Sequence, residues 1–176
     1  MKVLTVDLTA DYTDALKEAV RVLRAGGVIV YPTDTSYSLG ANALDFTAVD
    51  RVFRIKKRSS LNPLPIVVKN MVWAHELAYI SPTNEQRLAK VWPGKVTVVL
   101  PKREIIPSVL FAGRRDVGMR IPDHSFVDQL LGKFGYPLTG TPANTSANQA
   151  ARDIQGVLET LASADIGPEL VLDVGI

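Results

Sequence analysis

Apolar residues recur along the chain at two spacings, and the alternation of the two predicts an α/β protein. Segments with an apolar residue every three or four positions are typical of amphipathic helices, and short runs rich in valine and isoleucine favour strands. The predicted helices cover residues 11–24, 47–57, 70–77, 83–91, 126–134 and 154–161. The predicted strands cover residues 3–8, 28–31, 64–68, 96–100, 117–121 and 170–174. Alternating strands and helices favour the α/β class but leave parallel and mixed strand pairing open.

Composition narrows the class of protein. The 176 residues are 47% hydrophobic, which suits a single domain with its own core. No apolar run approaches the roughly 20 residues of a membrane span, so no membrane partner is expected. There is no cysteine, which excludes disulfides and thiolate metal sites, and the two histidines lack metal-ligand spacing, so no metal site is expected. These features and the lack of a leader predict a cytoplasmic protein. A formal net charge of +2 does not by itself indicate nucleic-acid binding.

A polar stretch, Tyr31-Pro-Thr-Asp-Thr-Ser-Tyr-Ser-Leu-Gly40, directly follows a predicted buried strand. Ligands of α/β proteins collect where loops leave strand ends, and this loop offers hydroxyl groups and one carboxylate. The alternative is a capped turn in which Asp34 and Thr35 bind the local backbone. The residues alone leave both interpretations open.

Three cations, Lys56-Lys57-Arg58, stand at the predicted end of a helix. If the helix ends at Lys57, Arg58 turns back beside Lys56, and the two offer a point charge and a planar fork of donors to phosphate. The alternative is a solvated helix end, where each cation contributes about 0.3–1 kcal/mol. Taken alone, such a charge run favours the solvated end.

The segment 141–149, Thr-Pro-Ala-Asn-Thr-Ser-Ala-Asn-Gln, is the third polar stretch. Its hydroxyl and amide groups suit a phosphate or a ribose, and the alternative is a turn that begins a helix. There is no Walker-type loop and no G-x-G-x-x-G motif, so the common nucleotide folds are not indicated.

The segment from Gly26 to Gly40 closely resembles the opening signature of the YrdC-like family, whose members are L-threonylcarbamoyladenylate synthases. Four further pieces follow in the family's order: Lys56-Lys57-Arg58 with Asn62-Pro63-Leu64, Trp92-Pro93-Gly94 with Thr97, 117–124, and Thr145-Ser146-Ala147-Asn148. Each piece is weak alone, but five in order are specific. The chain is therefore identified as a single YrdC-like domain over residues 1–176.

This resemblance implies a fold and a reaction. The fold would be a twisted mixed sheet with helices around a large, positively charged cavity. The reaction would join L-threonine and bicarbonate as a carbamate that attacks the α-phosphate of ATP, releasing pyrophosphate and leaving threonylcarbamoyl-AMP. A separate tRNA threonylcarbamoyl transferase complex would then modify tRNA. Magnesium would arrive with ATP rather than in a metal cage of the protein.

The resemblance also implies roles for particular residues. The nucleotide phosphates would be bound by Lys56, Arg58, Ser146 and Asn148, which form the catalytic set, with Asn62 beside them. L-threonine would be bound by Thr35, by Arg120 as counter-ion of its carboxylate, and by a pocket of Thr33, Tyr37 and Asn144. Ser38 and Val67 stand where relatives commonly have glycine and histidine.

Two alternatives accompany this reading. The chain ends at Ile176, before the Ser/Thr-rich segment with which relatives close the site, and this favours a non-catalytic module that binds tRNA or double-stranded RNA on the same fold. Such a module would show a steep salt dependence without ATP binding. The second alternative is a related carbamoyl-adenylate chemistry with another acceptor.

Overall fold

Six helices and nine strands follow one another in the part of the chain that the structure describes. The structure is a computed structural model, and it describes residues 1–59, 62–107, 113–144, 153–162 and 166–175. The helices are α1 (Thr13–Arg24), α2 (Phe46–Lys56), α3 (Met71–Leu77), α4 (Pro82–Leu88), α5 (Ser125–Phe134) and α6 (Ile154–Ala162). The strands are β1 (Lys2–Thr5), β2 (Ile29–Tyr31), β3 (Ser38–Gly40), β4 (Ile66–Val67), β5 (Val98–Pro101), β6 (Asp116–Arg120), β7 (Leu138–Thr139), β8 (Thr141–Pro142) and β9 (Leu170–Asp173).

The strands form two mixed sheets, so the predicted mixed α/β class is confirmed. The first has the order β1-β9-β2-β3-β8, with β9 parallel to both of its neighbours and β3 antiparallel to β2 and β8. The second has the order β5-β6-β4-β7, in which only the β4–β6 pair is parallel. Among the described residues, no helix is both long and apolar enough to cross a membrane.

Local sequence signals explain where the helices that flank the site begin and end. Asp45 caps α2, because its side chain accepts hydrogen bonds from the backbone N–H of Thr47 and Ala48 at 2.9 and 3.2 Å. The helix ends at Lys56, and Lys57 turns the chain sharply with a positive φ of 48°. After this turn the Arg58 N–H donates to Phe53 O at 3.0 Å, and the charge of Arg58 acts on Lys56.

The two sheets are joined at Thr139 of β7. Its side-chain oxygen accepts a hydrogen bond from Ala41 N–H and donates one to Leu39 O, both at 3.0 Å, and its carbonyl accepts from the Tyr31 hydroxyl at 3.1 Å. Thr139 is fully buried, and each apolar core draws side chains from both sheets. This junction fixes the strand ends of one sheet relative to those of the other.

Strand β3 departs from the sequence prediction. Residues 38–40 were predicted as part of a polar loop, yet they pair antiparallel with β2 and are buried. The hydroxyl-rich sequence forms a hairpin in which β2 is the first strand and residues 32–37 are the turn. Ser38 is therefore a strand residue opposite Tyr31 and Pro142.

Candidate active site

The loop 32–37 between β2 and β3 is organised by Thr33. Its buried hydroxyl donates to Ser36 O at 2.7 Å and lies 3.0 Å from Thr35 Oγ1. The backbone N–H of Thr35 donates to the same hydroxyl at 3.2 Å. The capped turn considered from sequence is thus present, but Thr33 rather than Asp34 or Thr35 makes it. Thr35 remains exposed at the surface of the loop.

Arg120, at the end of β6, meets this loop through a buried ion pair with Asp34. Its Nη2 donates to Asp34 Oδ1, its Nη1 donates to Thr35 Oγ1 at 3.2 Å, and its Nε donates to Gly94 O at 2.8 Å. Only 12% of the Arg120 side chain and 11% of the Asp34 side chain are exposed. The structure therefore places Thr35 and Arg120 together, as predicted, and adds Asp34 and Gly94 to the group.

Tyr37 lies behind this loop, and its hydroxyl faces the end of β9. The hydroxyl donates to Asp173 Oδ1 at 3.3 Å and accepts from Val174 N–H at 3.0 Å. Its side chain is 1% exposed. In this arrangement Tyr37 ties the loop to β9, and its predicted contact with L-threonine stays a prediction.

Lys56 is a buried lysine whose ammonium faces the loop after β8. Its Nζ donates to Pro142 O at 2.7 Å, to Asn144 O at 2.9 Å and to Asn144 Oδ1 at 2.7 Å. A protonated lysine has three N–H donors, so these three bonds use all of them. Only 1% of the residue is exposed. Lys56 therefore anchors the start of the third polar stretch to the end of α2.

Arg58 makes a different set of contacts. Its Nε donates to Asn62 O at 3.1 Å and its Nη2 donates to Pro63 O at 3.2 Å, so it braces the turn that follows α2. Three of its five N–H donors are outside these bonds. Asn62 is exposed and supplies its backbone carbonyl to Arg58. Arg58 is partly exposed and can offer its remaining donors to a ligand.

Backbone hydrogen bonds connect the segment held by Lys56 to the loop that Arg120 contacts. Ala143 N–H donates to Tyr37 O at 2.9 Å, and β8 pairs with β3 directly before the segment that Lys56 holds. The predicted residues Lys56 and Asn144 thus contact one another. Ser146 and Asn148 lie outside the described residues, and their predicted phosphate contacts stay predictions.

Sequence reasoning left three contributors out of the site. Asp34 and Gly94 hold Arg120, and His124 begins α5 without a side-chain capping bond. His124 Nδ1 is buried and has no hydrogen-bond partner among the described residues, and burial lowers the pKa of His124 although Asp34 and Asp123 act against it. The signal for Asp34 was its position in the middle of the 31–40 stretch.

Two of the clefts outside this group of residues differ in their lining. One, of about 470 Å³, runs between β1 and α1 and is lined by acids that repel phosphate, including Asp7, Asp11, Asp14 and Glu18. The other, of about 260 Å³, lies beside the Arg58 turn, with Pro63, Leu64, Pro65, Thr97, Val99 and Gly118 among its walls. Among the described residues, no group of three or more His, Asp or Glu side chains is placed to hold a metal ion.

The sequence profile of the Sua5_yciO_yrdC family, described as telomere recombination, matches residues 21–175. The chain belongs to this family. It is 37% identical over 154 residues to the threonylcarbamoyl-AMP synthase of Pyrococcus abyssi (strain GE5 / Orsay), covering 83% of this chain and 45% of that one. It is 30% identical over 151 residues to the threonylcarbamoyl-AMP synthase of Vibrio vulnificus, covering 84% and 81%.

A solved structure is similar over nearly the whole Sua5/YciO/YrdC domain. The crystal structure of P. abyssi Sua5 complexed with L-threonine superposes with a TM-score of 0.91 at 32% identity and covers 99% of this chain and 51% of that chain. The predicted family and the mixed α/β fold are therefore confirmed, and the large positively charged cavity stays a prediction. This chain spans about half the length of the Pyrococcus relative, and 81% of the Vibrio relative.

The environment of Lys56 gives a prediction about pH. Burial, and then the charge of Arg58, lower the pKa of Lys56 from 10.5 to about 8. Between those values the unfolded chain binds the proton more tightly than the folded one, so this residue makes the free energy of unfolding rise with pH from about 8 to 10.5. Urea unfolding at several pH values, compared with a Lys56→Arg variant whose side chain stays charged, measures the effect. A constant difference between the two proteins across this window would contradict the lowered pKa.

Proposed function

We propose that this domain forms L-threonylcarbamoyl-AMP from L-threonine, bicarbonate and ATP. The observation that carries the proposal is that Thr35 and Arg120 are hydrogen-bonded to each other, and that the segment held by Lys56 is joined to their loop by the Ala143–Tyr37 hydrogen bond. The names of the Pyrococcus and Vibrio relatives support it. Cations suit a triphosphate, and an arginine beside a hydroxyl suits an α-amino acid.

The reaction has two balanced steps. The amine of threonine adds to bicarbonate with loss of water, giving a carbamate. A carbamate oxygen then attacks the α-phosphorus of ATP, and the bond to pyrophosphate breaks with its electron pair leaving on the phosphate oxygen. Fixed cations stabilise the negative charge on the phosphoryl oxygens. We assign this role to Arg58 and to Lys56, which also holds the loop that follows β8.

The two cations have unequal tasks in this proposal. The ammonium of Lys56 is fully engaged with two backbone carbonyls and the side-chain oxygen of Asn144. It therefore neutralises phosphate charge while it holds the loop, and direct contact with phosphate requires exchange of one of these bonds. Arg58 has donors to spare and is the first candidate for direct phosphate contact. Ser146 and Asn148 follow the anchored segment, and we propose that they complete the phosphate site.

The remaining ligands are assigned by chemistry. The carboxylate of L-threonine would meet Arg120 and its side chain would lie near Thr35, with Thr33, Tyr37 and Asn144 shaping the pocket. Mg²⁺ would enter with ATP, since it binds phosphate oxygens and keeps several of its waters. The product would pass to a tRNA threonylcarbamoyl transferase complex, which implies a cytoplasmic reaction. Direct binding of tRNA or double-stranded RNA stays a prediction.

The adenine ring is proposed to occupy the mainly apolar cleft beside the Arg58 turn. A side chain at Gly118 would point into this cleft, because a Cβ built there lies 3.3 Å from Pro65 Cβ and 3.4 Å from Thr97 Cγ2. Gly118→Val is expected to raise the KM for ATP by about tenfold, the effect of about 1.4 kcal/mol of steric crowding. The KM for threonine serves as the internal control. Equal increases in both KM values would instead indicate a displaced strand.

Pyrophosphate release tests the proposed function. With ATP, magnesium, L-threonine and bicarbonate, the domain should release pyrophosphate, and omission of threonine or bicarbonate should stop it. D-threonine and L-valine serve as matched controls for the amino acid. ATP turnover that ignores threonine, or no turnover where the Vibrio relative works, would reject the proposal. A second arm measures RNA affinity against salt: a steep slope without ATP binding would support the non-catalytic module instead.

A further inference from the structure

Asp34 and Arg120 form a largely buried link between the two sheets. Asp34 follows β2 of the first sheet, and Arg120 ends β6 of the second. Asp34 Oδ1 accepts a hydrogen bond from Arg120 Nη2, and both side chains are close to nine-tenths buried. A charge that far from water is retained only when its partner is in place, so each member of the pair fixes the other.

The other contacts of Arg120 show what this link controls. Nε is held by Gly94 O and one N–H of Nη1 is held by Thr35 Oγ1. Three of the five donors are therefore used, and one N–H on each terminal nitrogen is left. An arginine with its plane fixed in this way loses little freedom when it binds a carboxylate, and that reduces the entropic cost of binding.

The Asp34 side chain makes no hydrogen bond other than the one to Arg120 in the part of the chain that the structure describes. Its Oδ2 is buried and has no hydrogen-bond partner there. Thr33, not Asp34, makes the turn of the loop. Among the described residues, the guanidinium of Arg120 is therefore the hydrogen-bond partner of this carboxylate, and the charge of Asp34 also acts on His124. A buried carboxylate oxygen without a hydrogen bond calls for a functional explanation.

We propose that Asp34 is a positioning residue that fixes the guanidinium of Arg120 in the orientation that receives the carboxylate of an α-amino acid substrate. This inference rests on the proposed function. Asp34 acts through Arg120 and does not touch the nucleotide. Its loss should weaken amino-acid binding selectively, and the effect should depend on the presence of the arginine.

The test uses a cycle of variants: Asp34→Asn, Arg120→Lys and the double variant. Asparagine has the same shape as aspartate and keeps an acceptor for Nη2, so Asp34→Asn removes the charge with little change in packing. Asp123→Asn is the matched control, because Asp123 is an exposed carboxylate three residues after Arg120. For each protein, KM for L-threonine and kcat come from pyrophosphate release, the dissociation constant for ATP from calorimetry, and the fold from thermal unfolding.

Asp34→Asn is expected to raise KM for L-threonine by about tenfold, because the hydrogen bond to Arg120 loses the negative charge of its acceptor, with the ATP dissociation constant and kcat within about twofold. In the Arg120→Lys background the same change should have little further effect. If the two substitutions raised KM independently, so that their effects multiplied in the double variant, the inference would be overturned. The same holds if Asp34→Asn weakened ATP binding as much as it raised KM for L-threonine. As long as the wild type turns over, the proposed function still stands in both cases. An inactive wild-type domain would overturn both.

Discussion

Replacing Lys56 by methionine is expected to reduce ATP turnover at least about a hundredfold and to lower the free energy of unfolding by about 2–3 kcal/mol. Methionine fills similar space but donates nothing, so the carbonyls of Pro142 and Asn144 and the Asn144 side chain lose their shared donor. The loop that leads to Ser146 and Asn148 then loses its anchor. Pyrophosphate release and urea unfolding measure the two effects.

The matched control is the same substitution one residue later. Lys57→Met removes a charge from an exposed residue that forms the turn at the end of α2. We expect its turnover and stability to stay close to those of the wild type, since exposed charges contribute little. If Lys56→Met kept wild-type turnover, the anchoring role of Lys56 would be wrong.

Replacing Arg58 by alanine is expected to reduce ATP turnover by a similar factor while lowering the free energy of unfolding by only about 1 kcal/mol. The stability loss is smaller because the bonds to the Asn62 and Pro63 carbonyls lie at a partly exposed turn. Arg58→Lys should restore little turnover, because lysine lacks the planar fork that matches two phosphate oxygens. The ATP dissociation constant, measured by calorimetry, should rise in both variants.

Arg54→Ala is the control for this prediction, since Arg54 is an exposed arginine in the last turn of α2. It should leave ATP binding unchanged within about twofold. An equal loss of ATP affinity at Arg54 and Arg58 would mean that general positive charge, rather than the Arg58 guanidinium, attracts the nucleotide.

Much of the fold could be predicted because its signals are local. The apolar spacing that predicted α1 and α2 depends on residues three or four positions apart. Strand β3 could not be predicted in the same way, because its pairing with β2 depends on a turn organised by the Thr33 hydroxyl. Short hydroxyl-rich hairpins carry little apolar pattern, and tertiary packing decides their structure.

In the candidate site, too, local signals could be predicted and long-range contacts could not. Arg58, Thr35 and Arg120 were predicted because they stand in recognisable strings, and Thr35 and Arg120 do lie together. The partners of the buried charges could not be predicted, since Lys56 bonds residues 86 and 88 positions away and Asp34 pairs with a residue 86 positions away. Such contacts depend on how the two sheets join, and no local pattern encodes them.

The most direct test of the account follows the carbon of bicarbonate into the product. The domain is incubated with ATP, magnesium, L-threonine and ¹³C-bicarbonate, and the adenylates are analysed by mass spectrometry beside the pyrophosphate released. The account predicts an adenylate that contains both threonine and the labelled carbon, formed in equal amount to pyrophosphate. AMP and pyrophosphate without a labelled adduct, or a threonyl adenylate that lacks the label, would contradict it.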